Sequence, residues 1–183
     1  MKYHYYLIIC CFLGTSCSDY SPKPSGYFRI DLPANTYHSA NFENCIFDLS
    51  NEAVLNISSQ NDFNIIYPKW KAQIYCSFFS LKHTSLKNLS DESRYLLEKQ
   101  AGRSQDIHIR QFDNPNEKVY CLLFEIQGNT ASPTQFLLTD SVHSFLRGAL
   151  YFDQTTNRDS IAPVLDHINT DIQHFIENFQ WKR

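Results

Sequence analysis

Apolar and polar residues alternate along most of this chain, and the alternation gives way twice to a helical period. Residues 41–49 (NFENCIFDL) and 53–59 (AVLNISS) show the half-buried strand pattern. Ser50, Asn51 and Glu52 between them predict a turn, and so a hairpin. Residues 63–68 (FNIIYP) lead to Trp70 and then to residues 72–79 (AQIYCSFF), where Ile74, Cys76 and Phe78 share one strand face. Residues 107–112 (IHIRQF) predict a strand, and Asn114, Pro115 and Asn116 a turn. Residues 119–127 (VYCLLFEIQ) are nearly continuous in apolar character, which predicts a place at the centre of a sheet. After a loop over residues 128–133, residues 135–139 and 144–152 (SFLRGALYF) predict two more strands.

The first helical stretch is residues 85–100. Leu86, Leu89, Ser93, Leu96 and Leu97 recur at three- and four-residue steps, with Gly102 as a stop. Asp91 and Glu92 lie early and Lys99 late, the order a helix dipole favours. In the second, Ile161, Val164, Leu165, Ile168, Ile172, Phe175, Ile176 and Phe179 fall in a sector about 120° wide at ~100° per residue. Asp159 and Ser160 are placed to cap its start, with Pro163 in the first turn, where its missing N–H costs little. Strands joined by short turns predict an antiparallel sheet, and two helices must cover it. The fold class is therefore α+β, mainly antiparallel β-sheet packed against two helices. This layout resembles the Mog1/PsbP-like domains.

The chain opens on a different pattern. Lys2 is a short positive start, residues 5–13 (YYLIICCFL) are uncharged, and Gly14, Thr15 and Ser16 lead into Cys17. This is the three-part layout of a secretory signal peptide. As a helix the apolar run is about 14 Å long at ~1.5 Å per residue, against a hydrocarbon core of about 30 Å, so it does not span a membrane. A cysteine directly after small residues resembles a bacterial lipobox, in which Cys17 is acylated, for example with palmitate, and becomes the first mature residue. Gly14 departs from the usual leucine of that motif, with Leu13 one position further back. An ordinary secretory signal followed by a chance cysteine is the alternative. Residues 18–39 begin as a tether, which Pro22 and Pro24 keep extended. Residues 27–33 (YFRIDLP) then alternate and lie against the domain. The expected organisation is a signal peptide over residues 1–16, a lipidated tether and extended segment over 17–40, and a single α+β domain over 41–183.

Composition narrows the function classes. The 14 Phe and 11 Tyr beside only 5 Gly argue for a packed β-rich domain and against disorder. A net charge of −3 with no Lys/Arg cluster lacks the electrostatic footprint of nucleic-acid binding. Cys45, Cys76 and Cys121 remain after the signal and Cys17, an odd number with no C-x-x-C pair. Buried strand thiols fit them better than a disulfide.

Few residues offer chemistry. His167, Asp171 and His174 stand on one flank of the last helix at metal-ligand spacing. With no further ligand evident, the flank reads as the solvent side. Asp140, Ser141 and His143 bring the triad residue types close together, but no G-x-S-x-G elbow accompanies them. A loop with capping residues is the simpler reading, a hydrolase the rival. No metal or cofactor motif is present. Glu125 and Arg147 interrupt apolar strands, and burying either alone is expensive. They read either as a pair lining a groove for a ligand or partner, or as outward-pointing edge residues. Tyr27, Phe28, Tyr37, Trp70 and Trp181 read as a partner-sized aromatic surface or as core and tether packing.

Four stretches together resemble the gliding motility lipoprotein GldD family of Bacteroidetes: YSPKP with GYFRIDLP (residues 20–33), YPK (67–69), EIQGNTASP with QF (125–136), and TDS through FLRGALYF (139–152). The ending, DSIAPV to FQW (159–181), also looks like that family's. The resemblance implies a lipid-anchored envelope protein of the gliding machinery, associated with type IX secretion, expected to face the periplasm and to act with other gliding and secretion proteins. It implies no enzymatic activity, no cofactor and no catalytic residues, and a lipobox loose enough to accept Gly14. Asp140-Ser141-Val142 and Asp159-Ser160-Ile161 also resemble the acceptor motif for O-glycosylation in that phylum, at Ser141 and Ser160. The rival function is an envelope binding domain for a small ligand or peptidoglycan fragment, beside Glu125 and Arg147.

Overall fold

The computed structural model describes residues 30–43, 45–101, 106–153 and 158–182, with the backbone alone at 158 and 159. Cys17, the tether and Gly102 lie outside these residues. Ten strands and two helices are described: β1 (Tyr37–Phe42), β2 (Cys45–Ser50), β3 (Val54–Ile57), β4 (Asp62–Tyr67), β5 (Ala72–Ser80), α1 (Leu86–Ala101), β6 (Ile107–Asn114), β7 (Val119–Ile126), β8 (Thr134–Thr139), β9 (Ser144–Phe152), α2 (Arg158–Glu177) and β10 (Gln180–Trp181). A seven-stranded sheet runs β3-β4-β5-β9-β8-β7-β6, and a small sheet runs β1-β2-β10. Every strand pairing is antiparallel. The α+β class with a mainly antiparallel sheet and two helices is what the alternation predicts.

Register corrects three expectations. Residues 41–49 are not one strand: the chain reverses between Phe42 and Cys45, so β2 pairs with β1. The expected β2–β3 hairpin does not form, because β3 crosses to the other sheet and pairs with β4. The middle of the large sheet belongs to β9 rather than β7, which stands second from the edge. β7 is apolar on both faces because a helix lies on each side of it. Leu89, Leu97 and Ala101 of α1 pack on Phe124, Ile126, Leu137 and Phe145. On the opposite face, Ile168, Ile172 and Phe175 of α2 join Phe47 of the small sheet against Phe63, Leu123, Phe136 and Leu146. Each such buried side chain contributes about 1.5–3 kcal/mol relative to exposure.

The helix limits follow local chemistry. Ser85 caps α1: its Oγ accepts the Asn88 N–H at 3.1 Å and its carbonyl the Leu89 N–H at 3.2 Å. α2 begins at Arg158, earlier than the apolar stripe indicates, so Pro163 lies inside the helix rather than in its first turn. Ile30 and Leu32 are partly buried against the main core, as the alternation of the extended segment predicts. The chain then enters β1 at Tyr37.

Candidate functional site

A buried polar seam runs along α2. The apolar arc of that helix faces the large sheet, and β2 with the segment before β1 closes over its flank. His167 and Asp171, expected on the solvent side, are only 7% and 4% exposed. That expectation is wrong because the helix is covered over a wider arc than its apolar stripe. His167 Nε2 lies 2.7 Å from Glu52 Oε2, and Lys69 Nζ stands 3.8 Å from the other Glu52 oxygen. Asp171 accepts hydrogen bonds from Asn35 Nδ2 at 2.6 Å and from the Tyr67 hydroxyl at 3.2 Å. His174 Nε2 meets Asp48 Oδ2 at 3.0 Å, and its ring stacks on Tyr37 at 3.6 Å between centroids.

The electrostatics suit fastening. Burial, then the neighbouring Asp171 carboxylate, pushes the Tyr37 hydroxyl up to about 12. The same two causes, in the same order, raise Tyr67 well above the usual tyrosine range. Both phenols therefore stay protonated at neutral pH. The cavity beside Asp171 is about 10 Å³, too small for a ligand. Among the described residues no cluster of three or more His, Cys, Asp or Glu side chains is placed to hold a metal. The seam joins the start of the domain to its last helix.

Glu125 and Arg147 are not a pair. Glu125 lies on the α2 face of the sheet, opposite Thr134, whose hydroxyl donates to Asn169 of α2. Arg147 lies on the α1 face, opposite Leu137. Glu125 pairs instead with Arg110 at 2.8 Å, and Arg110 also donates to Gln173 of α2 at 3.2 Å. No groove runs between Glu125 and Arg147, because the sheet itself separates them.

Asp140 organises the loop after β8. Its Oδ1 accepts three backbone N–H groups, from Val142, His143 and Ser144, at 3.0, 2.7 and 2.8 Å. Partial burial opposes ionisation, but these bonds outweigh it and hold the carboxyl below its ordinary range. Ser141 is exposed, with φ at 67°, and no hydrogen bond joins its hydroxyl to His143 among the described residues. His143 Nδ1 stands 3.4 Å from Asp140 Oδ2, with its side chain 71% exposed. The three residues thus build a capped turn. Ser160 is also exposed, at the start of α2.

The aromatic residues do not form one surface. Tyr37 stacks in the seam, Trp70 packs edge-on to His167, and Trp181 packs edge-on to Phe179. Tyr27 and Phe28 lie outside the described residues. Cys45, Cys76 and Cys121 are free and buried, and burial drives all three thiols up, Cys45 to about 12. They are inert packing residues. A groove of about 360 Å³ opens between α1 and the sheet, floored by Leu122, Leu137 and Phe145 with Asp113 at its rim.

Among the described residues no helix is long and apolar enough to cross a membrane. Together these features define an α+β domain whose N-terminal strand is fastened to its last helix. Residues 17–181 match the family described as gliding motility lipoprotein GldD, and the chain belongs to that family. Membership makes it a membrane-anchored lipoprotein of the cell envelope. The chain matches none of the curated proteins with which it was compared.

Proposed function

We propose that the protein is a non-enzymatic interaction component of the gliding apparatus, held at a membrane by lipid on Cys17. It faces the periplasm and works beside the type IX secretion machinery through contacts with other envelope proteins. The observation that carries this reading is the family match, which begins at Cys17 and continues to Trp181. The Asp140–His143 turn supports it too, since its polar atoms organise backbone rather than converge on a substrate. Exposed Ser141 and Ser160 are the proposed O-glycosylation acceptors. A mass unchanged by deglycosylation removes that assignment.

The test is Cys17→Ala in the full chain. The variant is expected to lose labelling by a fatty-acid analogue and to abolish gliding, while its far-UV circular dichroism stays that of a folded domain. A Cys17→Ala protein that remains membrane-bound and supports gliding overturns the reading. Proximity labelling from the intact lipoprotein should recover other gliding or secretion components, and recovery of cytoplasmic proteins alone contradicts the stated orientation.

A further inference from the structure

The α1 face of the large sheet is only half covered. α1 packs over β7, β8, the start of β9 and Phe79 at the end of β5, and reaches Tyr151 through Gln100. No helix among the described residues lies over β4 or over the stretch of β5 and β9 around Tyr75. Cross-strand register fixes what this open half presents. One row reads Ile66, Gln73, Tyr151; the next Asn64, Tyr75, Ala149; the third Asp62, Ser77, Arg147. Tyr75 is 44% exposed and stands opposite the small Ala149, with Arg147 and Tyr151 on its two diagonals.

These side chains are held in place. The Tyr75 and Tyr151 rings meet edge to face at 5.5 Å. Gln73 donates to the Tyr75 hydroxyl, and Gln100 of α1 donates to the Tyr151 hydroxyl at 2.8 Å. Buried Gln135 in turn donates to Gln100 at 2.6 Å. The result is a fixed platform of two phenol rings and several amides, with little entropy left to lose on binding.

Arg147 is the anomaly in this platform. It is half-buried in the middle strand, and no hydrogen bond or ion pair reaches it among the described residues. The acid on its own row, Asp62, stands two strands away, about 10 Å at ~4.8 Å per strand, and accepts from Ser59 at 2.8 Å. A partly desolvated guanidinium favours a planar, bidentate anion such as a carboxylate. Amides, hydroxyls and tyrosine rings around it suit a hydroxyl-rich ligand, whereas the core of a protein interface is more apolar. From Arg147 to Tyr151 the platform runs about 13 Å at ~3.3 Å per residue, enough for a short oligosaccharide.

We propose that this open half-sheet binds peptidoglycan, with Tyr75 and Tyr151 against sugar rings of its glycan and Arg147 on a carboxylate of the attached stem peptide. The site is independent of partner docking and requires only an envelope location. The test is cosedimentation of the full chain, purified in detergent, with isolated peptidoglycan sacculi. Arg147→Gln and Tyr75→Ala are each expected to weaken binding at least tenfold, and amidating the sacculus carboxylates to do the same to the wild type. Tyr95→Ala, an exposed aromatic on α1, leaves binding unchanged. Tyr75 is exposed, so its variant keeps the test decisive even if Arg147→Gln fails to fold. Wild-type protein that stays in the supernatant, variants that sediment like it, or equal binding to amidated sacculi each overturn the proposal. Gliding lost without any loss of sedimentation separates a partner-docking defect from this one.

Discussion

Replacing Gly148 by alanine should destabilise the protein, against the usual direction for a glycine inside a strand. Glycine in such a position costs roughly 0.5–1 kcal/mol relative to alanine, so the generic expectation is a gain of that size. Here Gly148 lies directly opposite Phe136 in the β8–β9 ladder, and an added Cβ would overlap three atoms of the Phe136 ring. The ring is fully buried and tilted against Phe175 at 5.5 Å, so it has nowhere to retreat. Overpacking of this kind costs about 1–3 kcal/mol, of which the backbone gain offsets only part. A net loss of about 1–2 kcal/mol follows, or a melting temperature lower by roughly 2–8 °C for a domain this size. Thermal unfolding followed by circular dichroism reads the shift. Phe136→Leu alone should also destabilise, by leaving a cavity. In the double variant the new methyl group occupies part of that space, so the two losses should fall short of additivity by about 0.5 kcal/mol or more. A Gly148→Ala protein as stable as the wild type, or strict additivity in the cycle, refutes this packing argument.

The seam gives a second prediction. Asp171→Ala leaves the buried Tyr67 hydroxyl and the Asn35 amide without their acceptor, which should cost about 2–4 kcal/mol in urea unfolding; a loss below ~0.5 kcal/mol would falsify the fastening role. Asp140→Asn should destabilise at neutral pH. Because the folded-state pKa of Asp140 is depressed, its stabilisation is complete above about pH 4 and fades as the pH falls through the lower folded value. The gap between wild type and variant should therefore shrink on acidification, and a gap that widens below pH 4 contradicts the assignment.

Most strands of the large sheet are legible because one face lies against a core and the other is more open, so alternation survives in the sequence. β7, covered by a helix on each face, shows instead as a continuous apolar run. Pairing is less legible. Nothing in residues 41–59 reveals that β2 and β3 part to different sheets, and two-residue β10 is too short to show a period. Glu125 and Arg147 show the same gap, since a strand's facing depends on register, and a slip of one residue reverses it. The seam was hidden for another reason. An apolar stripe marks where a helix meets hydrocarbon, while His167 and Asp171 are buried through polar partners 115 and 136 residues away. Buried polar groups satisfied at such distance leave no periodic trace. The tyrosine platform was half visible: Tyr75 falls between Ile74 and Cys76, on the face those two leave open.

The placement of β1 has a mechanical consequence. With the anchor on Cys17, as proposed, pull along the chain passes Ile30 and Leu32, which rest on the core, and then reaches Tyr37, which pairs with Ser50 at the open end of the β1–β2 ladder. Load applied there peels an antiparallel hairpin one rung at a time, the mode in which hydrogen bonds resist least because they break in sequence. The seam stands at this vulnerable end. Asn35 is held by Asp171, Asn51 donates its backbone N–H to the Thr36 carbonyl at 2.8 Å, and Tyr37 is stacked on His174. Tension must therefore break these fastenings together before the first rung of the ladder opens. Their attachment to α2 passes the strain to the core. For a membrane-anchored gliding motility lipoprotein, this polar cluster works as a strain relief at the point where the cord enters the body.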